Sequence, residues 1–317
     1  MEKRIVNVAC GQLGPIARAE TRTQVVRRLI ELMREAKARG SDVIVFPELA
    51  LTTFFPRWAL ETQEEIDSFF EKEMPGPESR PLFEEAAKLG IGFYLGYAEL
   101  VEGPRRRYFN TSILVNQKGE IVGKYRKIHL PGWSEPQPHL RSQHLEKRYF
   151  EPGNMGFPVY EAFGGVIGMC ICNDRRWPET YRVMALQGVE MVMVGYNTPD
   201  DHTDVFDFDI LTTFHNQLSL QAGAYQNSTW VVATAKAGHE EGSNLIGNSM
   251  IVAPSGQIIA HATTTDDEVI AAGCDLNMGT VYRKTIFDLA RHREPEHYRL
   301  IVERKGPGPI LPVRELD

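Results

Sequence analysis

An α/β domain built on two sheets with helices outside is what this sequence predicts, and three observations carry that prediction. Short apolar runs of strand type alternate along the chain with stretches whose apolar residues recur at helical spacing. Some runs, such as residues 42–46 (DVIVF), are apolar almost throughout, the pattern of a strand covered on both faces. Two hairpin-like stretches, SILVNQKGEIVGK (112–124) and SMIVAPSGQIIAH (249–261), lie over each other without a gap. Each has a strand, a polar turn with Gly119 or Gly256, and a second strand, so the chain carries an internal pseudo-symmetry.

In order, residues 4–10 (RIVNVAC) open as a strand. Over 20–38, Val25, Val26, Leu29, Ile30, Met33 and Ala36 share one helical face, and Gly40 stops the helix. DVIVF follows and runs into Pro47-Glu48. Thr62-Gln-Glu-Glu65 matches a capping box and predicts a helix over 62–74. A second helix over 78–89 ends at Gly90, ahead of strand 91–100. Between the hairpins lie strand 165–172, helix 178–187 with proline in its first turn, strand 189–195, helix 209–225 and strand 229–236. A strand over 268–276 and a helix over 280–292 complete the alternation. Residues 1–303 read as one domain. Residues 304–317, RKGPGPILPVRELD from 304, read as an extended arm.

Composition narrows the function classes. The chain has 317 residues, 42% hydrophobic and 24% charged, as an ordinary globular protein does. Its net charge of −7 argues against nucleic acid and anionic membranes as partners. There is no secretory pattern at Met1, and no apolar run of about 18 residues. Four cysteines then read as reduced thiols in a cytoplasmic protein. Cys170 and Cys172 form no zinc set, and GxGxxG after a strand, P-loop and HExxH motifs are missing, so no metal or organic cofactor is expected.

The chemistry sits at strand ends. In VIGMCICNDRRWPE (166–179) a buried strand breaks at Cys172 toward a helix opened by Pro178. Glu48 leaves strand 42–46, and Lys127 leaves the second strand of the first hairpin, in the same way. Ligands of α/β sheets bind beyond such carboxyl ends. A thiol, a carboxylate to take its proton and an ammonium to hold an oxyanion make a nucleophilic set. Taken singly, each also reads as something plainer: a small buried hydrophobe, a polar strand end, a solvated basic edge.

Together these segments resemble the nitrilase superfamily of carbon–nitrogen hydrolases: FPE at Glu48, GKYRKIHL at Lys127, and a strand–cysteine–turn at Cys172. GPIARAETR, FPELALTTFFPRW, HLEKRYFEPG, ICNDRRWPET, GYNTP and EPEHY resemble its N-carbamoyl-D-amino-acid hydrolases over nearly the whole chain. That resemblance implies a four-layer α-β-β-α sandwich and a homodimer or homotetramer. It implies Cys172 as nucleophile, Glu48 as base and later acid, Lys127 as oxyanion clamp, and Glu146 positioning lysine and substrate. It also implies Arg175 and Arg176 on the substrate carboxylate, helped by Asn173, Asn197 and Thr198, with His129 and His144 shaping the pocket. The substrate would be an N-carbamoyl-D-amino acid, cleaved to the D-amino acid, ammonia and carbon dioxide. Carbamoylputrescine amidases, by contrast, show no Arg-Arg pair where this chain has Arg175 and Arg176, and have a Trp-Asp-Gln type of sequence. Two departures bear on side-chain preference: the loop Trp133-Ser-Glu-Pro-Gln-Pro-His139, and the acidic segment PDDHTDVFDFD (199–209). The rival readings are another amidase, nitrilase or β-ureido acid hydrolase, and a catalytically silent protein on the same fold.

Overall fold

A computed structural model of the chain describes residues 2–140, 143–200 and 209–311. The first strands are β1 (Ile5–Gln12), β2 (Val43–Val45), β3 (Gly92–Val101), β4 (Arg107–Val115), β5 (Ile121–Arg126), β6 (Val159–Ala162) and β7 (Gly165–Ile171). They are followed by β8 (Met191–Tyr196), β9 (Trp230–Ala235), β10 (Ala237–Glu240), β11 (Ser243–Ile246), β12 (Met250–Val252), β13 (Ile258–His261) and β14 (Glu268–Asp275). The helices are α1 (Arg22–Ala38), α2 (Gln63–Asp67), α3 (Arg80–Leu89), α4 (Glu146–Tyr149), α5 (Pro178–Ala185), α6 (Thr212–Asn227), α7 (Met278–Arg283), α8 (Leu289–His292) and α9 (Arg299–Glu303).

Two six-stranded sheets run β14-β1-β2-β3-β4-β5 and β6-β7-β8-β9-β12-β13. Written so, they are the same arrangement twice. In each, three parallel strands (β1-β2-β3, β7-β8-β9) lead into an antiparallel hairpin. An antiparallel strand closes the other edge of each, β14 or β6. The pseudo-symmetry legible in the two hairpins is therefore that of the whole fold. It extends to single residues. Both hairpin ladders shift register at the same place, between Leu114 and Val115 and between Ile251 and Val252. Both turns close on a left-handed glycine, Gly119 at φ 77° and Gly256 at φ 82°.

Period-two alternation sorts the side chains into layers. Val8, Cys10, Val43, Val45 and Tyr94 face Ile167, Met169, Met191 and Met193 of the other sheet. Ala9, Ile44, Phe93 and Leu95 face outward onto Val25, Leu29 and Met33 of α1 and Leu82 and Ala86 of α3. Tyr181 and Met184 of α5 and Leu220 and Ala224 of α6 cover the second sheet. Each such aliphatic side chain stabilises the fold by about 1.5–3 kcal/mol. The result is the four-layer α-β-β-α sandwich of the nitrilase type. No helix among the described residues is long and apolar enough to cross a membrane.

The helix expected over 62–74 stops after Asp67. Thr62 does cap it, accepting from Glu65 N–H at 3.2 Å, but Glu65 turns its carboxylate to Arg18, and the chain bends to pack Phe70 edge-on against Phe55. The helix expected over 280–292 is two, α7 and α8. Phe287 folds inward onto Tyr225, and Asp288 starts a fresh cap on Arg291 N–H. Beyond α9, residues 304–311 hold no helix or strand, and the rest of the arm lies outside the described residues, as does 201–208 of the acidic segment.

Candidate active site

Beyond β2 the chain carries Phe46-Pro47-Glu48 into the space between the sheets. It can do so because two facing strands have no side chain there. A Cβ on Gly96 of β3 would lie 2.7 Å from Glu48 Cα, and one on Gly195 of β8 would lie 2.6 Å from Glu48 N. Glu48 is fully buried. Its Oε1 accepts from Lys127 Nζ at 2.7 Å and Asn110 Nδ2 at 2.8 Å, and Oε2 accepts from Asn197 N–H at 3.0 Å.

Lys127, immediately after β5, is also fully buried and gives its remaining bonds to Glu146, at 2.6 and 2.8 Å. Glu146 opens α4 and meets His144 Nε2 at 3.1 Å. Burial alone would push the Lys127 pKa down, but Glu146 and then Glu48 hold it well above the ordinary range. Against its own burial, Lys127 and then His144 hold the Glu146 carboxyl below the usual range. The ammonium therefore stays charged between two carboxylates.

Cys172 follows β7 with φ at +47°, the left-handed region that disfavours side chains. What holds it there is a buried carboxylate, Asp174. Its Oδ2 accepts from Ile171 N–H at 3.0 Å and Tyr125 Oη at 2.8 Å, and Oδ1 accepts from His129 N–H at 2.9 Å and faces His129 Nδ1 at 2.8 Å. The turn that carries Cys172 is thus tied to the segment carrying Lys127. Cys172 Sγ–H donates to Asn197 O at 3.4 Å, and the N–H of that same residue donates to Glu48. The thiol therefore reaches Glu48 and Lys127 through Asn197 and through space rather than by a direct bond. Burial and then Glu48 push the thiol pKa up, while Lys127 and Arg175 pull against them.

A cavity of about 300 Å³ opens on Cys172, lined also by Pro131, Trp133, His144, Arg176, Asn197 and Thr198. The two arginines part company here. Arg176 faces this cavity and, among the described residues, makes no ion pair or side-chain hydrogen bond. Burial and then Arg175 push its pKa down to about 10. Arg175, expected beside it on the substrate, is 1% exposed and does not line the cavity. Its guanidinium turns back to Cys172 O at 2.7 Å, Asn216 Oδ1 at 2.9 Å and Thr198 Oγ1 at 2.9 Å. Asn173 bonds His129 O at 3.1 Å, and His129 stacks on Trp177 with centroids 5.0 Å apart; neither lines the cavity. Asn110, Asp174 and Asn216 belong to the site and escaped the sequence reading. Asn110, a polar residue inside β4, is fully buried.

A buried carboxylate, ammonium and thiol thus come together at the strand ends of this sandwich. The chain belongs to the carbon–nitrogen hydrolase family, whose profile matches residues 7–284. It is 30% identical to a nitrilase of Pyrococcus abyssi, over 84% of this chain and 90% of that one. It is 28% identical to an N-carbamoylputrescine amidase of Solanum lycopersicum, over 98% of this chain and 99% of that one. The crystal structure of a carbon–nitrogen hydrolase from Helicobacter pylori superposes with a TM-score of 0.80 at 21% identity, over 95% and 99% of the two chains.

Proposed function

We propose that this carbon–nitrogen hydrolase cleaves N-carbamoyl amino acids that carry a free α-carboxylate, with the D enantiomers preferred. The observation that carries the carboxylate is Arg176: a half-buried guanidinium facing the reactive cavity without an acid of its own among the described residues. A planar cation so placed matches a carboxylate, whereas the free amine of carbamoylputrescine would meet like charge. The D preference rests on the sequence resemblance.

In this reading Cys172 Sγ bonds the ureido carbon as its proton passes to Glu48, and the carbonyl electron pair moves onto oxygen beside Lys127. Glu48 returns that proton to the departing nitrogen as the C–N bond breaks. It then takes a proton from water, whose oxygen displaces sulfur from the carbonyl carbon, and passes that proton to the departing Cys172 sulfur. Glu146 keeps Lys127 in place and charged throughout. The substrate is the one small-molecule partner proposed, and cytoplasmic location remains part of the proposal. We further propose a homodimer or homotetramer. The outer face of α5 and α6 exposes Leu186, Phe214 and Leu218 beside a groove of about 580 Å³. Light scattering reads the mass.

Ammonia release from matched D- and L-N-carbamoyl amino acids and from N-carbamoylputrescine tests the substrate. The D compounds should be turned over at least tenfold faster than either alternative. Arg176→Ala should raise KM for the carboxylate substrates about 10–100-fold, a charged hydrogen bond's worth, with kcat changed far less. Preference for carbamoylputrescine, or an unmoved KM, overturns the proposal.

A further inference from the structure

The three ions at the heart of the site do not balance. Glu48 and Glu146 oppose Lys127 alone, so the group sums to one negative charge, and a thiolate forming beside it would be disfavoured. A second cation is needed on the sulfur's other side, and Arg176 is committed to the cavity.

Arg175 occupies that place. Its Nη1 lies 3.7 Å from Cys172 Sγ while donating to the carbonyl oxygen of the same residue. Its other partners are Asn216 Oδ1, Thr198 Oγ1 and the ring of Tyr196, whose centroid lies 4.3 Å from Cζ. All of these are uncharged. A fully buried guanidinium ordinarily sits against a carboxylate, and among the described residues this one has none. Its orientation is fixed from behind: Asn216 Nδ2 donates to Tyr196 Oη at 3.1 Å, and Tyr196 Oη donates to Asn248 O at 2.7 Å. A lysine could not make the same fork of bonds.

We infer that Arg175 is the resident counter-charge of the Cys172 thiolate, holding the carbonyl of that left-handed residue while its positive charge stabilises sulfur as the proton leaves for Glu48. This rests on Cys172 being the nucleophile and not on which carbamoyl compound is the substrate.

The test follows the rate at which iodoacetamide alkylates Cys172 as a function of pH, read by mass spectrometry with Cys172→Ala as the background; sulfur displaces iodide, so no substrate is involved. Glu48 beyond β2, Lys127 beyond β5, Glu146 of α4, His144, and Asp174 and Arg176 of its own turn surround this sulfur and stay constant. In Arg175→Gln the alkylation midpoint should rise by about one pH unit, a tenfold loss of thiolate below it. Arg175→Lys, the variant to rely on should the glutamine protein not fold, should stay within about 0.3 unit and lose kcat at unchanged KM, because charge is kept and the fork is lost. An unmoved midpoint in Arg175→Gln overturns the inference. So does a KM raised tenfold or more with an unmoved midpoint in either variant, which would put Arg175 on the substrate. Failure of the substrate proposal leaves the alkylation profile unchanged, so the two are separable.

Discussion

Two lysines in this chain are completely buried, and each is held by glutamate at the end of a strand: Lys127 after β5 and Lys236 after β9. They serve different ends. Glu240 accepts from the N–H groups of Ile16 and Phe54, Thr53 Oγ1, Arg57 Nη2 and Lys236 Nζ, while Lys236 also donates to Thr52 O at 2.8 Å. Among the described residues no side-chain atom of that cluster is buried without a partner. Around Lys127, Asn110 Oδ1 and Asn197 Oδ1 are both buried and unpartnered, and the cluster borders a cavity. A closed polar network fastens β10 to the segment over 52–57. An open one keeps capacity for a molecule that arrives later.

The sharpest break between the two is chemical. Cys172→Ala should abolish turnover, by on the order of 10⁴-fold or more, with a melting temperature unchanged within a few degrees. Glu146→Gln should lower kcat by about 10²–10³-fold. Lys127 then answers to Glu48 alone, and the balance that keeps it charged and aimed is lost. Steady-state kinetics on folded protein, checked by circular dichroism, reads both.

Glu240→Gln should do the opposite, leaving activity per folded molecule within about threefold while costing about 3–5 kcal/mol of stability, as breaking a buried pair does. Its pH dependence follows from the carboxyl. Burial would raise its pKa, but Lys236, Arg57 and the backbone N–H groups of Phe54 and Ile16 hold it below the usual range. The folded state thus binds that proton less readily than the unfolded chain, whose glutamates titrate at about 4.3. Stability from Glu240 is fully present above that value and is lost as pH falls through the lower folded one. Urea midpoints of wild type and Glu240→Gln should therefore converge below about pH 4. A gap that stays constant to pH 3 would show that the charge is not what matters.

The contrast also marks what the sequence could reveal. Glu48 and Cys172 were legible because each interrupts an apolar run where a strand must end, and Lys127 because it closes the second strand of the first hairpin. The repeat of hairpins was legible because turn glycines and alternation sit at matching offsets. Lys236 and Glu240 were not. Nothing in KAGHE marks its two charges as buried, and only the fold of the segment over 52–57 across them buries both. Nor does adjacency say which way Arg175 and Arg176 turn. They leave one 3₁₀ turn in different directions, a difference set by Asn216 and Thr198, far off in sequence. Asp174 lay in plain view just before the two arginines, but its partners are the N–H groups of Ile171 and His129 and the hydroxyl of Tyr125 rather than an arginine.

The smallest effect concerns the backbone, and it compares two cysteines of one strand. Cys172 has φ at +47°, while Cys170, two residues earlier, lies within β7 in ordinary extended geometry. A side chain in the left-handed region costs about 1–2 kcal/mol, which glycine escapes. Glycine also costs about 0.4–1 kcal/mol through the extra freedom of its unfolded chain. At 172 the first effect wins, so Cys172→Gly should be more stable than Cys172→Ala by about 0.5–1 kcal/mol. At 170 only the second operates, and Cys170→Gly should be less stable than Cys170→Ala by a similar amount. Chemical denaturation of the four proteins reads both signs. The same sign at both positions would mean that the turn relaxes in solution, and that the thiol is not held in the strained pose on which Asp174 and Arg175 converge.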